Sequence, residues 1–228
     1  MTRLELELLD GEVAAADGPF SSGEPLPRRL PRGRHGIPPN LVLEHQRLRL
    51  IAAMAEALAE HGYAGVTTTH VGELAGVSSS TFYKHFGNLW DCLLAAYVYT
   101  ADRLCEQIEA AVEGREPEAD PLSAGIDAAL AFLAARPELG QLLGAPPPLE
   151  ASAVVAARRI LISKLASMLR RARGQGEVGD RPTGLDERMI DATLAFLHSR
   201  IRAGDAARLP ELGPELAAIL DRARRPVA

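Results

Sequence analysis

Residues 61–94 read HGYAGVTTTHVGELAGVSSSTFYKHFGNLWDCLL, and the spacing within this stretch dictates two short helices separated by a tight turn. Thr67 is placed to cap the first of them, with Val71 and Leu74 or Ala75 able to face a preceding helix. Gly76 can adopt the left-handed conformation that ends a helix, and Val77 then turns the chain inward. Ser78 is placed to cap the second helix, on which Phe82 and Phe86, four residues apart, share one buried face. Ser79, Ser80, Thr81, Tyr83, Lys84 and His85 are distributed around the remainder, so this helix is polar on its outer side.

Upstream, Leu48, Ile51, Ala52, Ala55, Leu58 and Ala59 recur at the three-and-four spacing of one helix face, which predicts a helix from Leu41 to Gly62. Downstream, Leu89 to about Val112 reads as a long helix closed by Gly114 and Pro117. Further helices are predicted from Pro121 to Leu143, Leu149 to Arg173, Leu185 to Arg202 and Leu209 to Arg224, with Gly/Pro breaks between them. Residues 1–40 hold Pro19, Pro25, Pro27, Pro31, Pro38 and Pro39 and cannot sustain a long helix or a core. Strands favour β-branched and aromatic side chains, so 47% hydrophobic residues with only 4% aromatics point to Ala/Leu-built helices and an all-α fold.

The net charge of -5 argues against indiscriminate polyanion binding, although the position of charge matters more than its sum. Residues 28–34 carry Arg28, Arg29, Arg32 and Arg34 without an acid, whereas Glu44, Glu56, Glu60 and Glu73 outnumber Arg47, Arg49 and Lys84 between Leu41 and Trp90. The longest apolar run, Ala128 to Ala135, is far short of the ~20 residues of a membrane span, and the amino terminus lacks the pattern of a secretion signal. A cytoplasmic location and no membrane partner are the expectations. Cys92 and Cys105 fall on one predicted helix, about 20 Å apart at its rise per residue, and read as small buried residues rather than a bridge.

The amino termini of the two short helices, at Thr67 and Thr68 and at Ser78, present free N–H groups that suit phosphate oxygens. An ordinary capped surface helix with a solvated polar face has the same local chemistry. The wider pattern separates the two. Gly62-Tyr63, the Thr67 cap, Val71, Ala75-Gly76-Val77-Ser78, Thr81-Phe82-Tyr83-Lys84-His85-Phe86, then Leu89, Asp91 and Leu93 resemble the TetR family of repressors over residues 41–94. Two departures stand out: Gly72 where alanine is common, and Ser79-Ser80 where many relatives carry a cation.

The resemblance implies a three-helix helix-turn-helix DNA-binding head (41–88) on an α-helical effector-binding and dimerisation body (89–228), preceded by a basic arm (1–40). By motif position, Tyr83 and His85 meet phosphates, Thr81 meets the backbone or a base edge, and Ser79, Ser80 and Lys84 enter the major groove of double-stranded operator DNA. Arg32 and Arg34 of the arm can supply the cations the head lacks by entering an adjacent minor groove; a solubilising tail is the alternative.

The resemblance also implies an apolar cavity for a largely apolar small-molecule effector. Tyr97, Tyr99, Phe132, Met168, Phe196 and His198 are its candidate lining, although such stripes are ordinarily core. On the last two helices, Met189, Ile190, Leu194, Leu197 and Ile201, then Leu216, Ile219 and Leu220, repeat on one side. They predict either a four-helix homodimer interface or helices that simply close the monomer.

The histidines show no ligand spacing, no serine sits in a glycine-flanked elbow, and Gly174 to Gly179 lacks the Lys and Ser/Thr of a phosphate loop. No metal, cofactor or enzymatic reaction is therefore expected. The expected function is a ligand-responsive transcriptional regulator, a repressor released from a palindromic operator. The acidic balance of the head keeps one alternative open: a helical small-molecule-binding or catalytic protein whose head no longer binds DNA.

Overall fold

Local capping chemistry sets the first elements of the computed structural model, which describes residues 39–174 and 184–222. Helix α1 (Pro39–Gly65) starts on a proline, whose fixed φ and missing N–H suit a first turn, and leaves helical geometry at Gly62. In α2 (Thr68–Ala75), the Thr67 side chain accepts from the His70 N–H, and Gly76 closes the helix at φ 62° and ψ 38°. In α3 (Ser79–His85), Ser78 caps the Thr81 N–H, and Phe82 is fully buried. Asn88 caps the long α4 (Leu89–Glu113) through the Asp91 N–H. The predicted basic arm, with Arg28, Arg29, Arg32 and Arg34, lies outside the described residues.

The body adds α5 (Pro121–Ala135), α6 (Pro137–Gly144), α7 (Ser152–Ala172), α8 (Gly184–Arg202), a 3-10 turn (Ala206–Leu212) and α9 (Gly213–Arg222). No strand occurs among the described residues. Two expected helices are each divided. Pro137 has no N–H to donate and disfavours helical geometry at the residue before it, so Arg136 sits at φ -138° and ψ 76° and α5 ends there. Pro210 lies in the 3-10 turn, and regular α-helix resumes only at Gly213.

One continuous hydrophobic cluster runs from the head into the body. Leu50, Met54 and Leu58 of α1 meet Val71, Ala75, Phe82 and Phe86, and the same cluster continues through Leu93, Tyr97, Leu139, Leu142 and Leu161. Helix α6 connects the two ends, packing on α1 on one side and on α8 on the other. Its approach to α8 requires glycine: a Cβ on Gly140 would fall 2.3 Å from Ile201 Cδ1, and one on Gly144 2.5 Å from His198 Cβ.

Buried charges tie the remaining ends together. Arg49, buried in α1, donates to the Ala75 carbonyl at the end of α2. Arg173, after α7, donates to Asp186 Oδ1 in α8 at 3.0 Å and also to the Leu220 carbonyl of α9. Both partners of that ion pair are buried, and Arg170 also lies 3.8 Å from Asp186 Oδ2, so loss of Asp186 would remove the carboxylate that both guanidinium groups face.

Candidate nucleic-acid interface and body cavity

The α2–turn–α3 unit is built by backbone bonds that local sequence makes available. Gly76 N–H donates to the Glu73 carbonyl at 3.0 Å and Val77 N–H to the Gly72 carbonyl at 2.9 Å, which turns α3 back across α2. The Gly72 departure belongs to this turn, because a Cβ there would press on the Val77 carbonyl oxygen at 3.3 Å. Phe82 and Phe86 anchor α3 from below, with ring centroids 5.9 Å apart. Its outer surface is then fixed: Ser79, Ser80, Lys84 and Tyr83, which is 57% exposed, all face away from the core.

The remaining DNA candidates are less free. Thr67 and Ser78 are exposed but serve as caps, and the Ser78 hydroxyl also lies 2.9 Å from Ser80 Oγ and 3.0 Å from Thr81 Oγ1. Thr68 and Thr81 are half-buried. His85 is half-buried too, with Nε2 3.3 Å from Gln46 Oε1 of α1, a contact that periodicity does not single out. Burial lowers the His85 pKa from its ordinary value, helped by the nearby Arg47 and Lys84, so the ring is a neutral hydrogen-bonding group near neutral pH. Arg49 is buried and Arg47 lies over the Phe86 ring, 4.7 Å from its centroid. Lys84 is the exposed cation on α3.

A cavity of about 370 Å³ opens in the body, bounded by α4, α5, α7, α8 and α9. Leu104, Ile108 and Val112 line it from α4, Gly125, Ala129 and Leu133 from α5, and Leu165, Met168 and Leu169 from α7. Ile190, Thr193, Leu194 and Leu197 of α8 and Leu216 and Leu220 of α9 complete the wall. Charged groups, Glu109, Glu113, Arg115 and Arg171, occur where α4 and α7 end, remote from the head.

Of the six residues expected to line a cavity, Met168 does so. Tyr97 is wholly buried in the core shared with the head. Its phenol is pushed up to about 12 by burial, with Arg158 partly offsetting the shift, and burial likewise pushes Tyr63 up to about 12. Tyr99 and Phe132 are half-buried against the hydrophobic clusters, His198 packs on Gly144, and Phe196 is 44% exposed on the outside of α8. The expected interface residues are also redistributed. Ile190, Leu194, Leu197, Leu216 and Leu220 face the cavity, and Ile201 is buried against α6. Met189 is half-buried, and only Ile219 of that set is exposed. Apolar periodicity locates the buried side of α8 and α9, but that side covers the monomer's own cavity.

The head's identity follows from a comparison of its sequence. Residues 50–96, which span most of α1, all of α2 and α3 and the start of α4, match the model for bacterial regulatory proteins of the tetR family. These residues form a TetR-type head. No curated protein matches it in sequence. Solved structures do match in fold: the fatty acid degradation regulator FadR from Bacillus halodurans superposes with a TM-score of 0.63 at 21% identity, over 77% of this chain and 94% of that one. FadR from Bacillus subtilis, solved in complex with stearoyl-CoA, gives 0.60 at 22% identity over 76% and 96%. The TetR-family regulator PfmR from Thermus thermophilus gives 0.53 at 20% identity over 76% and 97%. At these identities the likeness shows that the body shares the fold of these solved structures.

Proposed function

We propose that this chain is a TetR-family, ligand-responsive, DNA-binding transcriptional regulator, a dimeric repressor released from a palindromic operator by an apolar small molecule. The observation that carries the proposal is the exposed face of α3, with Ser79, Ser80, Tyr83 and Lys84 held outward by buried Phe82 and Phe86, in a head whose core is continuous with a cavity-bearing body. In this reading residues 41–88 engage DNA, and residues 89–228 bind the effector and dimerise.

In this reading the dimer surface is formed by the outer faces of α7 and α8, which their exposed apolar side chains support. Ala153, Ala156 and Ile160 on α7, and Leu185, Ala192 and Phe196 on α8, form two exposed stripes on neighbouring helices. Ile160 is 52% and Leu185 51% exposed, so two copies can bury apolar surface that the monomer leaves wet. An isologous pair presents two α3 helices to half-sites about 34–36 Å apart. An effector acts by biasing the dimer between head spacings that fit or misfit consecutive grooves. FadR from Bacillus subtilis, with its bound stearoyl-CoA, supports an apolar effector for this architecture.

Selection of an operator from random DNA, followed by titration at several salt concentrations, tests the reading. A palindromic consensus bound with steep salt dependence is expected. Failure to enrich any sequence rejects it.

A further inference from the structure

The body cavity has a length, a wall and a polarity, and together they name a class of effector. We infer that it takes one unbranched aliphatic tail of about twelve to sixteen carbons, with its polar group at the charged end remote from the head. The inference deepens the regulator reading and rests on it only for the consequence of binding, operator release.

Length comes from the helices beside the cavity. Its lining runs from Leu104 to Glu113 on α4 and from Pro121 to Leu133 on α5, spans of roughly 13 and 18 Å at the rise of an α-helix. An extended chain advances about 1.2 Å per bond, a third of the reach of one residue, so the channel accommodates about eleven to fifteen bonds. The volume of about 370 Å³ agrees with one slender ligand, since pockets for drug-sized molecules begin near 300 Å³.

The wall selects what the tail can be. Among the described lining residues there is no aromatic ring for an aromatic ligand to stack on, and the side chains are leucine, isoleucine, valine, methionine and alanine. The hydroxyl in the channel, on Thr193, already donates to the Met189 carbonyl at 2.8 Å. A polar substituent along the tail would therefore be stripped of water without a donor to meet it. Charges wait at the other end. Glu109 and Glu113 stand with Arg171 and with Arg115, whose guanidinium is bonded to the Val112 and Ala119 carbonyls. The ligand's polar group belongs at this charged end, and the tail runs toward Leu133 and Leu197 at the apolar end of the lining.

The test is a direct binding series on the full chain with straight-chain fatty acids from hexanoate to stearate and the matching alcohols, kept below micellar concentrations. Affinity should rise about fourfold per added carbon, the factor for ~0.8 kcal/mol per buried methylene. It should stop rising between dodecanoate and hexadecanoate, at the same length for acids and alcohols. Ala129→Phe, which fills the channel midway, should bring the plateau to shorter chains, and Leu133→Ala should move it to longer ones. A rise that continues through stearate, no binding by any chain, or an unchanged plateau in a folded Ala129→Phe protein would overturn the inference. Operator affinity measured without additives is independent of all three, so failure of the regulator reading would leave the length profile intact.

Discussion

Leu194 and Phe196 sit two residues apart on α8 and point in opposite directions, which makes them a paired test of the proposed dimer surface. Leu194 is 6% exposed and lines the cavity, whereas Phe196 is 44% exposed on the outer face. Leu194→Ala removes buried aliphatic surface, but one side of the side chain already borders empty space. The cost therefore belongs at the low end of the usual range, about 2–3 kcal/mol. For a chain of this size that lowers Tm by roughly 4–12 °C. Dimer affinity should stay within a few-fold. Phe196→Ala does the reverse. An interface aromatic contributes about 2 kcal/mol or more on truncation, and twofold symmetry counts it twice, so association weakens by about 4 kcal/mol. The dimer Kd then rises about a thousandfold, while monomer helix content is unchanged. Sedimentation equilibrium across a concentration series, with Tm read in parallel, separates the two. A Phe196→Ala dimer as tight as wild type, or a Leu194→Ala chain that dissociates without losing Tm, would refute the assignment of the faces.

Four further outcomes follow from the head and its surroundings. Lys84→Ala and Tyr83→Ala should weaken operator binding with helix content intact, and removing one phosphate-binding group should lower the logarithmic salt slope by about 0.9; wild-type affinity in both rejects the α3 face. Phe82→Ala should destabilise the chain by about 3–5 kcal/mol in chemical denaturation, and an unchanged midpoint would contradict its anchoring role. Deleting residues 1–36 should flatten the salt slope if Arg32 and Arg34 reach DNA, because Arg47 and Arg49 are engaged within the head; an unchanged slope rules the arm out. His45, His85 and His198 all titrate below their ordinary 6.5, chiefly through burial, with Arg49, Arg47 and Lys84, and Arg202 and Arg158 respectively adding repulsion. The folded chain thus binds fewer protons than the unfolded one, so their contribution is intact above pH 6.5 and is lost as pH falls toward the lowered values. Tm should drop on acidification through this window, and less steeply in a triple His→Gln variant.

The parts of the molecule that can be read from the sequence are those whose causes are local. Thr67, Gly76 and Ser78 act on residues two or three positions away, and Phe82 with Phe86 defines a face within two turns, so the head's geometry follows from a short stretch. The body is different. Periodicity reveals which side of α8 is apolar, but whether that side meets a cavity, a core or a second subunit depends on α4, α5 and α7, which are distant in sequence. Aromatic character alone favours an inward Phe196, yet its register puts it opposite Leu194 and Leu197. The Arg173–Asp186 pair and the Arg49 bond to Ala75 are likewise non-local, and no spacing rule joins their members.

The uninterrupted core has a bearing on how chains of this fold can be recombined. Leu50, Met54 and Phe82 share their packing with Tyr97, Leu139 and Leu142, so a cut at Asn88 passes through a packed interior rather than along a seam. A chimera that transplants residues 41–88 onto a foreign body would expose part of that interior unless the recipient supplied matching surfaces on its counterparts of α4 and α6. The smallest transferable specificity unit is therefore a discontinuous one: the three head helices together with the inward-facing residues of α4 and α6 on which α1 rests.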